Sequence, residues 1–151
     1  MQAKEFMVQA AQAQRELKLL KERIESCWEN GTNTASHWGV VSGKSVPTSR
    51  VENAVVGSID LTGKYREKAA ECQKIVDHAD ALIAKIPQER FREVLIYFYM
   101  IGGKEYDKLS KVGKKMGYEN PNSVYRTHGW ALAALDKLLK EEQKDDNVRK
   151  E

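Results

Sequence analysis

The segment KVGKKMGYENPNSVYRTHGW, Lys111–Trp130, contains the features that decide the fold of the C-terminal half. A lysine-rich amphipathic stretch ends at Gly117, and a helical pattern restarts after Asn120-Pro121, a favourable pair for the N-cap and first position of a helix. Two helices that cross closely need a small residue at their contact, and a glycine four residues later allows a sharp turn. Gly113 and Gly117 have this spacing, so the segment predicts a helix-turn-helix.

The second helix of such a motif would lay its first residues in the major groove of DNA, with Val124 anchoring it to the first helix. Lysines of the first helix would lie beside the DNA backbone and add salt-dependent affinity. His128 has an alternative role, which is packing against the preceding helix. The residues predicted to contact DNA are Asn122, Ser123, Tyr125, Arg126, His128, Lys111, Lys114 and Lys115.

Two segments of the N-terminal half have a seven-residue apolar period, which is typical of coiled-coil pairing. The first comprises Ala3, Phe6, Ala10, Ala13, Leu17, Leu20, Ile24 and Cys27, and the second Tyr65, Ala69, Cys72, Val76, Ala79, Ile83 and Ile86. The segment between them is rich in Gly, Ser, Thr and Asn, so we expect a flexible loop at about residues 30–50. A third helix would follow, with an apolar face of Phe91, Val94, Leu95, Phe98 and Ile101.

These patterns predict an all-α protein. We expect a long antiparallel, coiled-coil-like helical hairpin over residues 1–86, a helix-turn-helix DNA-binding domain over residues 87–141, and a charged, frayed tail over residues 142–151. The heptad stripes can pair within one chain or between two chains, so a homodimer through the hairpin is an open alternative.

Composition and charge exclude several function classes. The net charge is only +3, but residues 104–129 hold six basic and three acidic side chains, a local surplus equal to that of the whole chain. No window approaches about 18 consecutive apolar residues, and the N-terminal segment lacks the apolar stretch of a secretory signal, so we expect a cytoplasmic protein outside the membrane. Cys27 and Cys72 are isolated, and no nucleophile accompanies His78. We therefore expect no metal, no cofactor and no enzymatic activity.

Residues 86–139 resemble region 4 of bacterial sigma factors. They are more closely similar to the sigma-region-4-like regulators encoded by phages and prophages, of the ArpU and RinA late-gene-activator kind. The shared features are REVL at residues 92–95, Gly-Lys at 103–104, MGY at 116–118, VYR at 124–126 and the His-Gly pair at 128–129. Thr127 stands where such modules carry an apolar residue, and Trp130 where they often carry a basic one.

The resemblance implies a sequence-specific regulator of phage late genes that binds double-stranded DNA in the host cytoplasm and can also contact RNA polymerase. No counterpart of sigma region 2 is recognisable, so an accessory activator is expected. Two alternatives remain: a phage small terminase subunit that marks DNA for packaging, and a protein that binds RNA polymerase or a host factor without binding DNA.

Overall fold

The computed structural model describes residues 2–37 and 48–148, and all regular structure in these residues is helical. The all-α prediction is therefore confirmed. The helices are α1 (Ala3–His37), α2 (Thr48–Ala84), α3 (Glu89–Leu95), a π-helical segment (Ile96–Ile101), α4 (Leu109–Lys115) and α5 (Pro121–Val148). No helix among the described residues combines the length and the apolar character needed to cross a membrane.

The chain forms two compact units. The hairpin unit comprises residues 15–73, and the terminal unit comprises residues 1–14 together with 74–151. In the hairpin unit, α1 and α2 run antiparallel: Glu16 forms an ion pair with Lys68, and Arg23 lies over the ring of Tyr65, 5.7 Å from its centroid. The division differs from the predicted domains, because both ends of the 1–86 hairpin belong with the C-terminal helices.

Burial explains why the ends of the hairpin fall in the terminal unit. The predicted heptad positions there are buried on both helices, from Ala3 to Ala13 and from Val76 to Ile86. Met7, Ala11 and Leu82 are buried as well, although they lie outside the heptad stripe. A stripe that widens in this way has neighbours on more than one side, whereas a two-helix coiled coil buries only a narrow seam.

One carboxylate joins α2 to α5 within the terminal unit. Glu142 of α5 accepts a hydrogen bond from His78 at 2.9 Å and another from Lys85 at 3.1 Å, through different carboxylate oxygens. The His78 ring also meets the ring of Phe6 edge-on, with centroids 5.3 Å apart. This group, the Glu142 clasp, therefore links α1, α2 and α5.

The π-helical segment changes which side chains of the third helix are buried. An α-helical period predicts that Phe98 shares the buried face of Val94. Residues five apart share a face in a π-helix, so the buried position is Tyr99 instead, at 7% exposure. Phe98 is only partly buried and Ile101 is exposed, which corrects two positions of the predicted apolar face.

Helices extend into two predicted irregular regions. α1 continues to His37 and α2 begins at Thr48, so both ends of the loop predicted at about 30–50 are helix, because propagation of an existing helix is favourable. Residues 38–47 of that loop lie outside the described residues. α5 continues to Val148, past the boundary predicted at residue 141, because Glu, Lys and Gln favour helix and Glu142 is held by the clasp. Residues 149–151 of the predicted tail lie outside the described residues.

We expect Glu142→Gln to lower the melting temperature at pH 7 by about 1–3 °C, since it removes the charge that pairs with Lys85 and weakens the acceptor of the hydrogen bond from His78. Glu141→Gln is the matched control, because Glu141 is exposed and forms no ion pair with another described residue. Calorimetry of the two variants beside wild type checks this expectation. Equal melting temperatures for all three proteins at pH 7 would contradict it.

The clasp also predicts a pH dependence. The hydrogen bond from His78, followed by that from Lys85, lowers the pKa of Glu142. Because the folded pKa lies below the unfolded one, the stabilisation is complete above the unfolded pKa and is lost as the pH falls through the folded pKa. The melting temperatures of wild type and Glu142→Gln should therefore converge as the pH falls through the lowered pKa of Glu142.

Candidate functional site

The contact between α4 and α5 is made by Gly113 and Val124. Gly113 is buried, and a Cβ built on it would lie 3.0 Å from Cγ1 of Val124 and 3.2 Å from its Cβ. Val124 itself is fully buried. A side chain at position 113 would require Val124 to shift by a few tenths of an ångström, so the predicted close contact between Gly113 and Val124 is present.

The turn between α4 and α5 depends on a second glycine. Gly117 has φ +76°, a left-handed conformation that residues with a Cβ rarely adopt. Its N–H donates to the carbonyl of Lys114 at 3.2 Å, and the next N–H, that of Tyr118, donates to the carbonyl of Gly113 at 2.9 Å. These bonds satisfy the last carbonyls of α4, so the helix stops here.

The start of α5 is also locally determined. The side-chain oxygen of Asn120 accepts a hydrogen bond from the backbone N–H of Asn122 at 2.9 Å. The backbone carbonyl of Asn120 accepts one from the N–H of Ser123 at 3.0 Å. Pro121 is the first residue of the helix. The predicted pair of N-cap and first-turn proline is therefore confirmed.

A hydroxyl network ties the turn to α5. Thr127 is only 6% exposed, and its hydroxyl donates to the carbonyl of Ser123 at 2.9 Å. That hydroxyl has one proton, so the Tyr118 hydroxyl 3.0 Å away must donate to Thr127. Arg90 lies over the Tyr118 ring at 5.4 Å from its centroid. Thr127 thus anchors α5 by hydrogen bonds where an apolar residue was expected.

The first turns of α5 have two different sides. Val124 and Thr127 are buried on one side, whereas Asn122, Tyr125 and Arg126 are exposed on the other. Tyr125 retains 53% exposure, a large value for an aromatic side chain. Three of the predicted site residues therefore share one surface, which we call the α5 outer face. Ser123 is half-buried and its carbonyl is bonded to Thr127, so it lies at the edge of this face.

His128 does not belong to the α5 outer face. Its ring stacks on Tyr99 with centroids 5.7 Å apart and meets Phe98 edge-on, and its Nε2 is 3.1 Å from the Tyr99 hydroxyl. Burial lowers the pKa of His128, which favours a neutral ring. Of the two roles considered for His128, the structure supports packing against the preceding helix and not contact with phosphate. Tyr99 has no signal in the sequence for this role, because the π-helical segment moves it into this position.

The three predicted lysines divide into two kinds. Lys111 donates to the carbonyl of Lys104 at 2.7 Å and forms an ion pair with Asp107 at 2.7 Å, and its hydrogen bond lowers the pKa of Asp107. It therefore stabilises the segment before α4. Lys114 and Lys115 are exposed and have no ion-pair partner within the part of the chain that the structure describes. Of the three predicted lysines, Lys114 and Lys115 therefore have the ammonium groups that no carboxylate of the described residues pairs with.

Trp130 is a residue of α5 and lies beside the α5 outer face. It retains 60% exposure, and its ring centroid is 6.5 Å from that of Phe91. The two rings line a solvent-open groove together with Ile86, Pro87 and Leu138. Trp130 thus supplies apolar surface at a position where the modules that residues 86–139 resemble often carry a basic residue.

Comparison of the chain with protein-family models, with curated proteins and with solved structures gives no match.

We expect Gly113→Ala to destabilise the fold by about 1–3 kcal/mol, because the added methyl group would overlap Val124. In a Val124→Ala background the same substitution should cost less, since Cγ1, the nearest atom at 3.0 Å, is then gone and only the Cβ at 3.2 Å remains close. A double-mutant cycle measured by urea unfolding gives the coupling between the two positions. Strictly additive effects would contradict the close contact.

Proposed function

We propose that this chain is a sequence-specific, double-stranded-DNA-binding regulator of transcription, in which α4 and α5 act as a helix-turn-helix. One observation carries the proposal. The first turns of α5 are fixed on one side by buried contacts, while the opposite side carries Asn122, Tyr125 and Arg126 exposed to solvent. Exposed polar side chains that are held on a rigid helix are suited to an external partner.

The geometry of α5 fits the major groove. An α-helix with its side chains is about 10–12 Å across, and the groove is about 12 Å wide. Asparagine pairs with adenine through two hydrogen bonds, and arginine pairs with guanine in the same way. Asn122 and Arg126 are one turn apart, about 6 Å along the axis, which matches about two base pairs.

Lys114 and Lys115 support the proposal by their position at the end of α4. Both precede the turn directly, so they lie close to the start of the outer face in the chain. Contacts of lysine with phosphate orient a protein on DNA and add affinity that falls with salt, but they carry no sequence information. In this proposal the two lysines orient the module and the α5 outer face selects the sequence.

The regulatory role rests on the resemblance of residues 86–139 to the sigma-region-4-like phage regulators. It implies an accessory activator of late genes that works with RNA polymerase and does not melt DNA alone. The small terminase alternative predicts a ring of subunits in solution. The alternative of a polymerase-binding or host-factor-binding protein predicts no enrichment of any DNA sequence.

Selection from random duplex DNA at about 150 mM salt tests the proposal, since non-specific phosphate binding is weak under these conditions. We expect wild type to enrich one motif and Arg126→Ala to lose discrimination at one base pair by about 1–3 kcal/mol. Arg15→Ala is the matched control, because Arg15 is an exposed arginine of the hairpin unit. Absence of enrichment by wild type would overturn the proposal.

The difference between Lys111 and the two unpaired lysines, Lys114 and Lys115, predicts how each affects the salt dependence of DNA binding. Lys114→Ala and Lys115→Ala should each reduce the slope of log affinity against log salt by about 1, because each removes one phosphate contact. Lys111→Ala should leave the slope unchanged, since its ammonium group is already bonded within the protein. Fluorescence anisotropy over a salt series measures the slopes. Equal losses for all three variants would show that the assignment is wrong.

A further inference from the structure

Gly129 occupies a position where the fold itself does not need glycine. It lies in the middle of α5, its backbone does not have a positive φ, and a Cβ added to it would meet no atom within 4 Å. Gly113 and Gly117 differ from it, because a close contact and a left-handed conformation account for them. Glycine inside a helix lowers stability relative to alanine. At position 129 no contact with residues 2–37 or 48–148 offsets this loss.

The location of Gly129 suggests what offsets this loss of stability. Residues seven apart in an α-helix differ by only about 20° in direction, so Gly129 lies on the same side as Asn122, two turns and about 10 Å further along. Arg126 lies between them on that side. Gly129 is exposed, as are Asn122 and Arg126. Gly129 therefore extends the α5 outer face, at a position where no side chain covers the backbone.

We propose that Gly129 is a close-approach point, at which the backbone of α5 lies directly against duplex DNA. The inference rests on the proposed function and deepens it, because it extends the DNA contact from the first turn of α5 to its third. A helix in the groove has side chains that hold it away from the duplex, and a glycine lets the backbone approach. The neighbouring side chains Asn122 and Arg126 can then reach base edges.

The lack of internal contacts does not identify such a point by itself. Gly63 of α2 is also exposed, helical and without a neighbour within 4 Å. What distinguishes Gly129 is the shared side with Asn122 and Arg126. Gly63 lies in the hairpin unit and is therefore a matched control, since the same substitution in the same local environment changes a different surface.

The test compares Gly129→Ala and Gly63→Ala in the full chain. Both should raise the melting temperature, by about 2 °C, because alanine is the better helix former and neither methyl group meets another atom. On a duplex carrying the motif selected by wild type, Gly129→Ala should bind about tenfold more weakly, since a methyl group would enter a closed contact. Gly63→Ala should bind as wild type does.

The outcomes separate the inference from the proposed function. If wild type selects a motif but Gly129→Ala binds it within about twofold of wild type, the close approach is wrong and the proposed function stands. The inference also fails if Gly63→Ala loses as much affinity as Gly129→Ala. If wild type selects no motif, both proposals fail together, and this is seen before any variant is compared.

Discussion

The contact between Gly113 and Val124 determines how close α4 and α5 approach, and the rest of the candidate site depends on it. A separation of 3.0 Å between a hypothetical Cβ and a valine methyl is tighter than an ordinary van der Waals contact, so a side chain at position 113 would require Val124 to move. With Val124 held in this contact, the helical period directs Asn122, Tyr125 and Arg126 to the opposite side. Gly117 and the Asn120 cap then set where α4 stops and α5 starts. A buried steric constraint thereby determines which polar groups reach the surface.

Contacts further along α5 keep that surface in one orientation. The hydroxyls of Tyr118 and Thr127, the pair of Tyr99 and His128, and the Glu142 clasp hold successive turns of the same helix. Each contact is modest alone, but together they restrain α5 along most of its described length. A binding surface that is rigid before it meets its partner loses less conformational entropy on association. This restraint is what a helix that discriminates between DNA sequences requires.

The features predicted correctly from the sequence are those set by local rules. The heptad stripes, the two glycines of the turn and the Asn120-Pro121 start depend on residues within a few positions of one another. The features that were missed depend on tertiary contacts. Neither the π-helical segment nor the position of Tyr99 has a local signal, so the sequence leaves both roles of His128 open, contact with DNA and packing. The sequence groups Lys111 with Lys114 and Lys115, because its bond to the carbonyl of Lys104 depends on the conformation of the segment before α4.

DNA binding by the α5 outer face is tested most directly by an NMR titration. The isotope-labelled full chain is titrated with the duplex that wild type enriches, at about 150 mM salt. If the α5 outer face binds DNA, we expect the largest amide shifts at Lys114, Lys115 and residues 122–129, with little change in the hairpin unit. Shifts concentrated in residues 15–73, or no saturable shifts in α5, would contradict the claim that the α5 outer face binds DNA.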